Sequence, residues 1–244
     1  MPPSVTQTED RIARSLAAVR TGTASAADAD LIAAAMAADR SMLVGLRAEQ
    51  PQPLTRPGRI EIVHDLETLD MAQTAHILSI GAVAVDVSSG GIIGRFYDVI
   101  GLAPQPERTS LDATLQWWHS EKVSTLARDE VMVDGTHAIP LPLALTRYNQ
   151  WLNQFGEAGI WGNGSDFDNA ILDHAFRQHG LRWQYWRNRC MRTLRGLLQA
   201  ERAPFPATLT AHIAIDDATA EAAELCALLR QLAVIAPAAP PIQQ

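Results

Sequence analysis

Downstream of Arg59 the apolar residues fall into the short, turn-bounded runs of β-strands, at residues 60–66, 77–85 and 92–100, with Ser88-Ser89-Gly90-Gly91 as a turn between the last two. Three consecutive strands on short connections predict an antiparallel meander. Past Ile100 the spacing changes to that of helices, predicted over residues 111–118, 120–131, 141–155 and 168–179, with one short strand at Gly159-Ile160-Trp161. A last helix, residues 217–234, precedes an Ala/Pro tail, residues 235–244, which is too poor in apolar side chains to pack and is expected to be disordered.

Upstream, alanine-rich sequence predicts two helices, over residues 9–19 and 26–49. Ser25 and Asp28 give the second a start like a capping box. Leu31, Ile32, Met36, Leu43, Val44 and Leu46 form an irregular apolar stripe, suited to docking but not to a coiled coil. Residues 51–58, Pro-Gln-Pro-Leu-Thr-Arg-Pro-Gly, read as a linker, because proline removes a backbone donor and restricts its predecessor. The expected organisation is a helical N-terminal extension (1–50), the linker (51–58) and one α/β domain (59–234).

Composition fits this division: 244 residues at 47% hydrophobic and 19% charged suffice for one sizeable core plus an appendage. No apolar run approaches the roughly 20 residues of a membrane span, so a cytoplasmic protein with no membrane partner is expected. Cys190 and Cys226 do not form a Cys-x-x-Cys pair, which leaves neither a disulfide framework nor a zinc knuckle. A net charge of -7 argues against a broad basic face that coats nucleic acid, though not against a local cleft. Lys122 is the only lysine. Arg177, Arg182, Arg187, Arg189, Arg192 and Arg195 crowd the stretch after Asp168, and guanidinium forks suit phosphate oxygens. A substrate path over Arg187, Arg189 or Arg192 is one expectation and an ordinary solvated surface the other.

Acids stand where apolar side chains are expected. Strand alternation projects Asp65 and Glu67 from one face, two residues apart, where they can share a cation. The segment Trp161-Gly162-Asn163-Gly164-Ser165-Asp166-Phe167-Asp168 reads as strand, turn and helix start. Asp168 lies in the first helical turn and Asp166 is the expected cap. His212 stands five residues before Asp217, which opens the last helix, so imidazole and carboxylate can reach one point. Each motif alone is weak; carboxylates converging from distant segments imply a neutralising divalent metal.

Together these motifs resemble the DEDDh 3'-5' exonucleases of the ribonuclease H-like superfamily. Asp65-Leu66-Glu67-Thr68 matches the first motif, Asn163 through Asp168 the second, and His212 through Asp217 the third. The run Ile77-Leu78-Ser79-Ile80-Gly81-Ala82-Val83 and Thr114-Leu115-Gln116-Trp117-Trp118 are similar to the bacterial and phage exonuclease VIII-like group. The resemblance covers about residues 59–234.

It implies an α/β, ribonuclease H-like mixed sheet flanked by helices, behind the N-terminal helical extension. It also implies hydrolysis of phosphodiester bonds at the 3' end of single-stranded DNA or RNA, releasing nucleoside 5'-monophosphates. Asp65, Glu67 and Asp217 would be direct ligands of two Mg²⁺ or Mn²⁺ ions, Asp168 would complete the second site, and His212 would be the general base. Oxygen ligation favours these metals over Zn²⁺. For substrate, Thr68 would meet the terminal nucleotide, Trp118 and Phe167 would stack on bases, and Arg192 would contact the backbone. Adjacent tryptophans on a helix point apart, so at most one of Trp117 and Trp118 is expected to face substrate while the other packs in the core. His64 carries no chemistry in this reading. A homodimer or a partner protein is expected through the N-terminal helices. A non-catalytic binding or scaffold protein on the same fold, and an enzyme that clears short oligonucleotides, are the alternatives.

Overall fold

The computed structural model describes residues 58–133 and 138–235. The helices expected within residues 1–50, the linker up to residue 57 and the tail from residue 236 lie outside them. Five strands, β1 (Ile60–Thr68), β2 (Ile77–Asp86), β3 (Ile92–Val99), β4 (Gly159–Gly162) and β5 (Asn188–Cys190), form one mixed sheet in the order β3-β2-β1-β4-β5. The expected meander is present: β1 and β2 pair antiparallel, as do β2 and β3. Its second turn is closed by the Asp86 carboxylate, which accepts from the Ser88 N–H at 2.9 Å and the Ser89 hydroxyl at 3.1 Å. On the other side β4 pairs parallel to β1, and β5 parallel to β4.

Among the described residues six helices form: α1 (Asp112–Trp118), α2 (Thr125–Val131), α3 (Leu141–Leu152), α4 (Asp168–Gln178), α5 (Met191–Leu198) and α6 (Ala214–Ile235). They cover both sheet faces. Ile62, Leu66, Ile80, Ala82 and Ala84 pack against Leu145 and Tyr148 of α3 and Ile171, Leu172 and Phe176 of α4. Val63, Val83, Val85 and Trp161 pack against Met191 and Leu194 of α5 and Ala218, Ala222 and Leu225 of α6. A third cluster seats Trp118, Ala127 and Val131 on Leu69 and Leu78. The alternation expected of β1 is therefore real, with Ile62, His64 and Leu66 on one side and Val63, Asp65 and Glu67 on the other. Among the described residues no helix is long and apolar enough to cross a membrane.

Several boundaries differ from those expected. Helix α2 starts at Thr125 rather than near Ser120, because the Ser124 side chain caps it by accepting from the Ala127 N–H at 3.1 Å. Helix α3 stops at Leu152 and tightens into a 3₁₀ turn before Gly156, whose φ of 54° ends it. Strand β5 and helix α5, neither of them expected, occupy the arginine-rich stretch: β5 is only three residues long, and α5 carries Met191, Leu194 and Leu198 at helical spacing between its arginines. Helix α6 begins three residues before Asp217, where Ala214 and Ile215 lie on Gly81 of β2.

That contact explains why position 81 is glycine. A Cβ there would meet the Ala214 carbonyl carbon at 2.2 Å and the Ile215 nitrogen at 2.3 Å, both backbone atoms that cannot swing away. Gly81 is also the register partner of Asp65. Gly81→Ala is expected to push α6 off the sheet and cost about 1–3 kcal/mol in denaturant unfolding; an unchanged midpoint would show that the approach is looser.

Candidate active site

The cluster forms where β1 and β4 end side by side and the sheet order turns outward both ways, the usual ligand position in open α/β sheets. β1 continues past its last register partner in β4, Val63↔Trp161, and delivers Asp65 and Glu67 beyond it. Asp168 comes from the first turn of α4 and is 3% exposed. Nearby backbone N–H groups, its own and that of Leu66, favour its charged form against burial. Gly162 permits this approach, since a Cβ would stand 2.6 Å from Asn169 Oδ1 and 3.1 Å from Asp168 Oδ2. Asn169 in turn donates to the Ile160 carbonyl at 3.2 Å, pinning α4 to β4. The N-cap position of α4 falls on Phe167 with no side-chain cap, and Asp166, the expected cap, is exposed.

Asp217 and His212 arrive together. The His212 backbone N–H donates to Asp217 Oδ2 at 2.7 Å, and the Thr210 N–H to Asp216 Oδ2 at 2.8 Å, so the first turn of α6 captures the loop before it. His212 has φ 66°, a left-handed conformation uncommon for a residue other than glycine, though histidine is among those that adopt it more readily. Its ring meets Trp117 edge to face, with centroids 4.8 Å apart at 87°. Glu67, His212 and Asp217 each bring one potential ligand atom within 4.8 Å of the others.

The electrostatics mark this as an overcrowded anionic site. Burial and then the charges of Glu67, Asp168, Glu221 and Asp217 hold the Asp65 carboxyl well above its ordinary range. Burial, Asp217 and Asp168 do the same to Glu67. Burial pushes Asp168 up to about 7 and Glu221 up to about 8, the latter with help from Asp168. Arg192 and Arg202 lower Asp168 and Glu221 respectively, but only in part. A set of carboxylate oxygens with one imidazole, this short of positive charge, fits a divalent cation.

A cavity of about 410 Å³ adjoins Glu67, lined by Leu66, Thr68, Met71, Leu111, Trp117, Trp118 and Phe167 among others. Trp118 is 1% exposed and its indole donates to the Thr68 carbonyl at 2.9 Å, so it forms the cavity's floor from within the core. Trp117 is the more open of the pair. Phe167 is half-buried at the wall, and the Thr68 hydroxyl donates to the Asp70 carbonyl at 2.8 Å. Arg192 is exposed beside Gly164.

Two arginines do other work than expected. Arg187 is 2% exposed, its Nε donating to the Ala158 carbonyl at 2.6 Å and Nη1 to Gln184 Oε1 at 3.0 Å, which removes it from any substrate path. Arg195 donates to Asn163 and pairs with Glu224 at 3.1 Å, locking α5 to the second motif and to α6. His64 is fully buried, bonded to the Tyr148 hydroxyl at 2.9 Å and stacked on Trp183, and burial lowers it to about 4. Glu221, the fifth acid, was not singled out in the sequence, although a step of four from Asp217 along α6 finds it.

A mixed five-stranded sheet with helices on both faces and acids gathered at the ends of its parallel strands is a ribonuclease H-like exonuclease fold. The family model described as the 3'-5' exoribonuclease Rv2179c-like domain matches residues 61–229, and the chain belongs to that family. Among solved structures, E. coli exonuclease I with a dA16 oligonucleotide is similar at 15% identity and TM-score 0.53, over 71% of this chain and 41% of that one. The zinc-bound form of the E. coli exonuclease I–ssDNA complex is similar at 16% and 0.52, over 72% and 43%. Cell-death related nuclease 4 aligns at 13% identity and TM-score 0.48, over 72% of this chain and 65% of that one. The chain thus spans about two-fifths of exonuclease I, and at these identities the likeness is one of fold. No curated protein matches the sequence.

Acids whose pKa values rise on folding bind more protons folded than unfolded, so their contribution is favourable below the ordinary carboxylate range and is lost as pH climbs through the folded values. His64 acts with the opposite sign, but only between about 4 and 6.5. Between about pH 6.5 and 8.5, in EDTA, stability is therefore expected to fall with rising pH, by up to about 1.4 kcal/mol per pH unit for each titrating group. Mn²⁺ should reverse the fall at pH 8. Melting temperatures across this range check both; a flat EDTA profile would contradict the charge crowding.

Proposed function

We propose that the chain is a metal-dependent 3'-5' exonuclease that hydrolyses the terminal phosphodiester bond of single-stranded RNA or DNA and releases nucleoside 5'-monophosphates. The observation that carries this reading is the convergence of Glu67, His212 and Asp217 within 4.8 Å, with Glu67 also lining an aromatic-walled cavity. The family's description as an exoribonuclease supports RNA as the first substrate to test. The run 77–83 and the Trp117-Trp118 pair support a place beside the exonuclease VIII-like group.

Asp65, Glu67 and Asp217 would hold two divalent ions, Mg²⁺ or Mn²⁺, with Asp168 completing the second site. When bound, such ions stabilise charge on the attacking and leaving oxygens of an in-line displacement. The chain's own residues do the rest. His212, fixed by Asp217 through its backbone and by Trp117 against its ring, takes the proton of the attacking water. The cavity receives the terminal nucleoside, with Phe167 as a stacking wall, Trp118 as its floor and Thr68 beside the sugar. Arg192, exposed near Asp168, meets the phosphate backbone.

Digestion of 3'- and 5'-labelled single-stranded RNA and DNA with Mg²⁺, Mn²⁺ or EDTA tests this. Stepwise shortening from the 3' end is expected with metal and none in EDTA. Asp65→Asn should abolish it and His212→Ala should lower kcat about 10²–10⁴-fold. No cleavage by well-folded protein with either metal, or shortening from the 5' end, would refute the proposal.

A further inference from the structure

Glu221 occupies a position that the apolar pattern of α6 would give to a hydrophobic residue. Ala218, Ala222 and Leu225 around it belong to the core, and its own side chain is 4% exposed. It lies one helical turn beyond Asp217, on the same stripe, and lines the cavity that also holds His212 and Asp217. Its Oε1 faces Arg202 at 3.3 Å, but that arginine is 57% exposed and reaches one oxygen only. Glu221 Oε2 is buried with no hydrogen-bond partner. A buried carboxylate oxygen without a partner is costly, and a replacement in the core need only be apolar. Glu224, one turn further, shows the contrast: Arg195 and the Ala203 N–H at 3.2 Å both meet its Oε1. Its unpartnered oxygen and the oxygens of Asp217 belong to one cavity, and the charges of Asp168 and Asp217 add to burial in raising the Glu221 carboxyl. The side chain therefore stands among the acids of the site.

We propose that Glu221 is a fifth carboxylate of the metal centre, a ligand for a divalent cation beside Asp217 and His212, with which it lines one cavity. The proposal rests on the metal-centre reading above and adds to it an oxygen donor outside the three motifs. Ligand number and charge set how tightly a hard cation is held, so a further carboxylate tightens binding and raises the repulsion that the metal-free protein must bear.

The test is Mn²⁺ titration by calorimetry of the full chain near pH 7.5, together with melting in EDTA and in Mn²⁺. It compares the wild type with Glu221→Gln, Glu224→Gln and Asp65→Asn. Glu221→Gln is isosteric; it is expected to weaken Mn²⁺ binding about tenfold or more. It should also melt higher than the wild type in EDTA and gain less from Mn²⁺. Glu224→Gln should keep the wild-type Mn²⁺ affinity. If Asp65→Asn loses Mn²⁺ while Glu221→Gln binds it like the wild type, Glu221 is only the anchor of Arg202 and the proposal falls alone. If Asp65→Asn also binds like the wild type, the metal-centre reading falls and takes the proposal with it.

Discussion

Mutual repulsion of carboxylates held inside protein is the constraint around which this domain is built. Glu67, Asp168, Asp217 and Glu221 each raise the cost of ionising Asp65, and the arginines near Asp168 and Glu221 offset only part of the crowding. In an interior of low dielectric such a group is tolerated when a cation of high charge density replaces the missing water. In the function proposed above the anionic crowding is what a cation would relieve, and the rest of the domain is the frame that keeps it from relaxing.

That frame is rigid where relaxation would be easiest. β1 is central, paired on both sides, and its final residues extend past β4, so its acids cannot swing away without breaking the β2 ladder. Gly81 lets α6 lie directly on β2, which fixes Asp217 against Glu67, and Gly162 lets the start of α4 approach the end of β4. The histidine needs the most support, since its backbone sits in an unfavourable region. The Asp217 carboxylate on one side and the Trp117 ring on the other supply that support. Asp217 thus holds the loop in the free protein and, in the function proposed above, would also offer oxygens to a cation.

Much of this was legible in the sequence. The meander of β1 to β3 follows from apolar runs and a turn of Ser and Gly. The acids were visible because they interrupt apolar pattern at strand and helix ends. What was hidden was governed by long-range contacts. β5 is too short to show a pattern, and α5's short stripe of Met191, Leu194 and Leu198 lies hidden between arginines; pairing with β4 and packing against α6 order them. Arg187 counts as surface in any composition yet is buried by its bonds to Ala158 and Gln184. Trp118 and Trp117 were known to point apart, but not which way; the Thr68 carbonyl draws the former inward. Glu221 hid among alanines, though its spacing from Asp217 was there to be read.

The central claim, that these acids form a cation site, is tested most directly by anomalous diffraction from crystals soaked in Mn²⁺. The account predicts manganese density bounded by the carboxylates of Asp65, Glu67, Asp168 and Asp217. Ordered protein with those carboxylates paired only to one another or to arginine, and manganese absent or bound elsewhere on the surface, would contradict it.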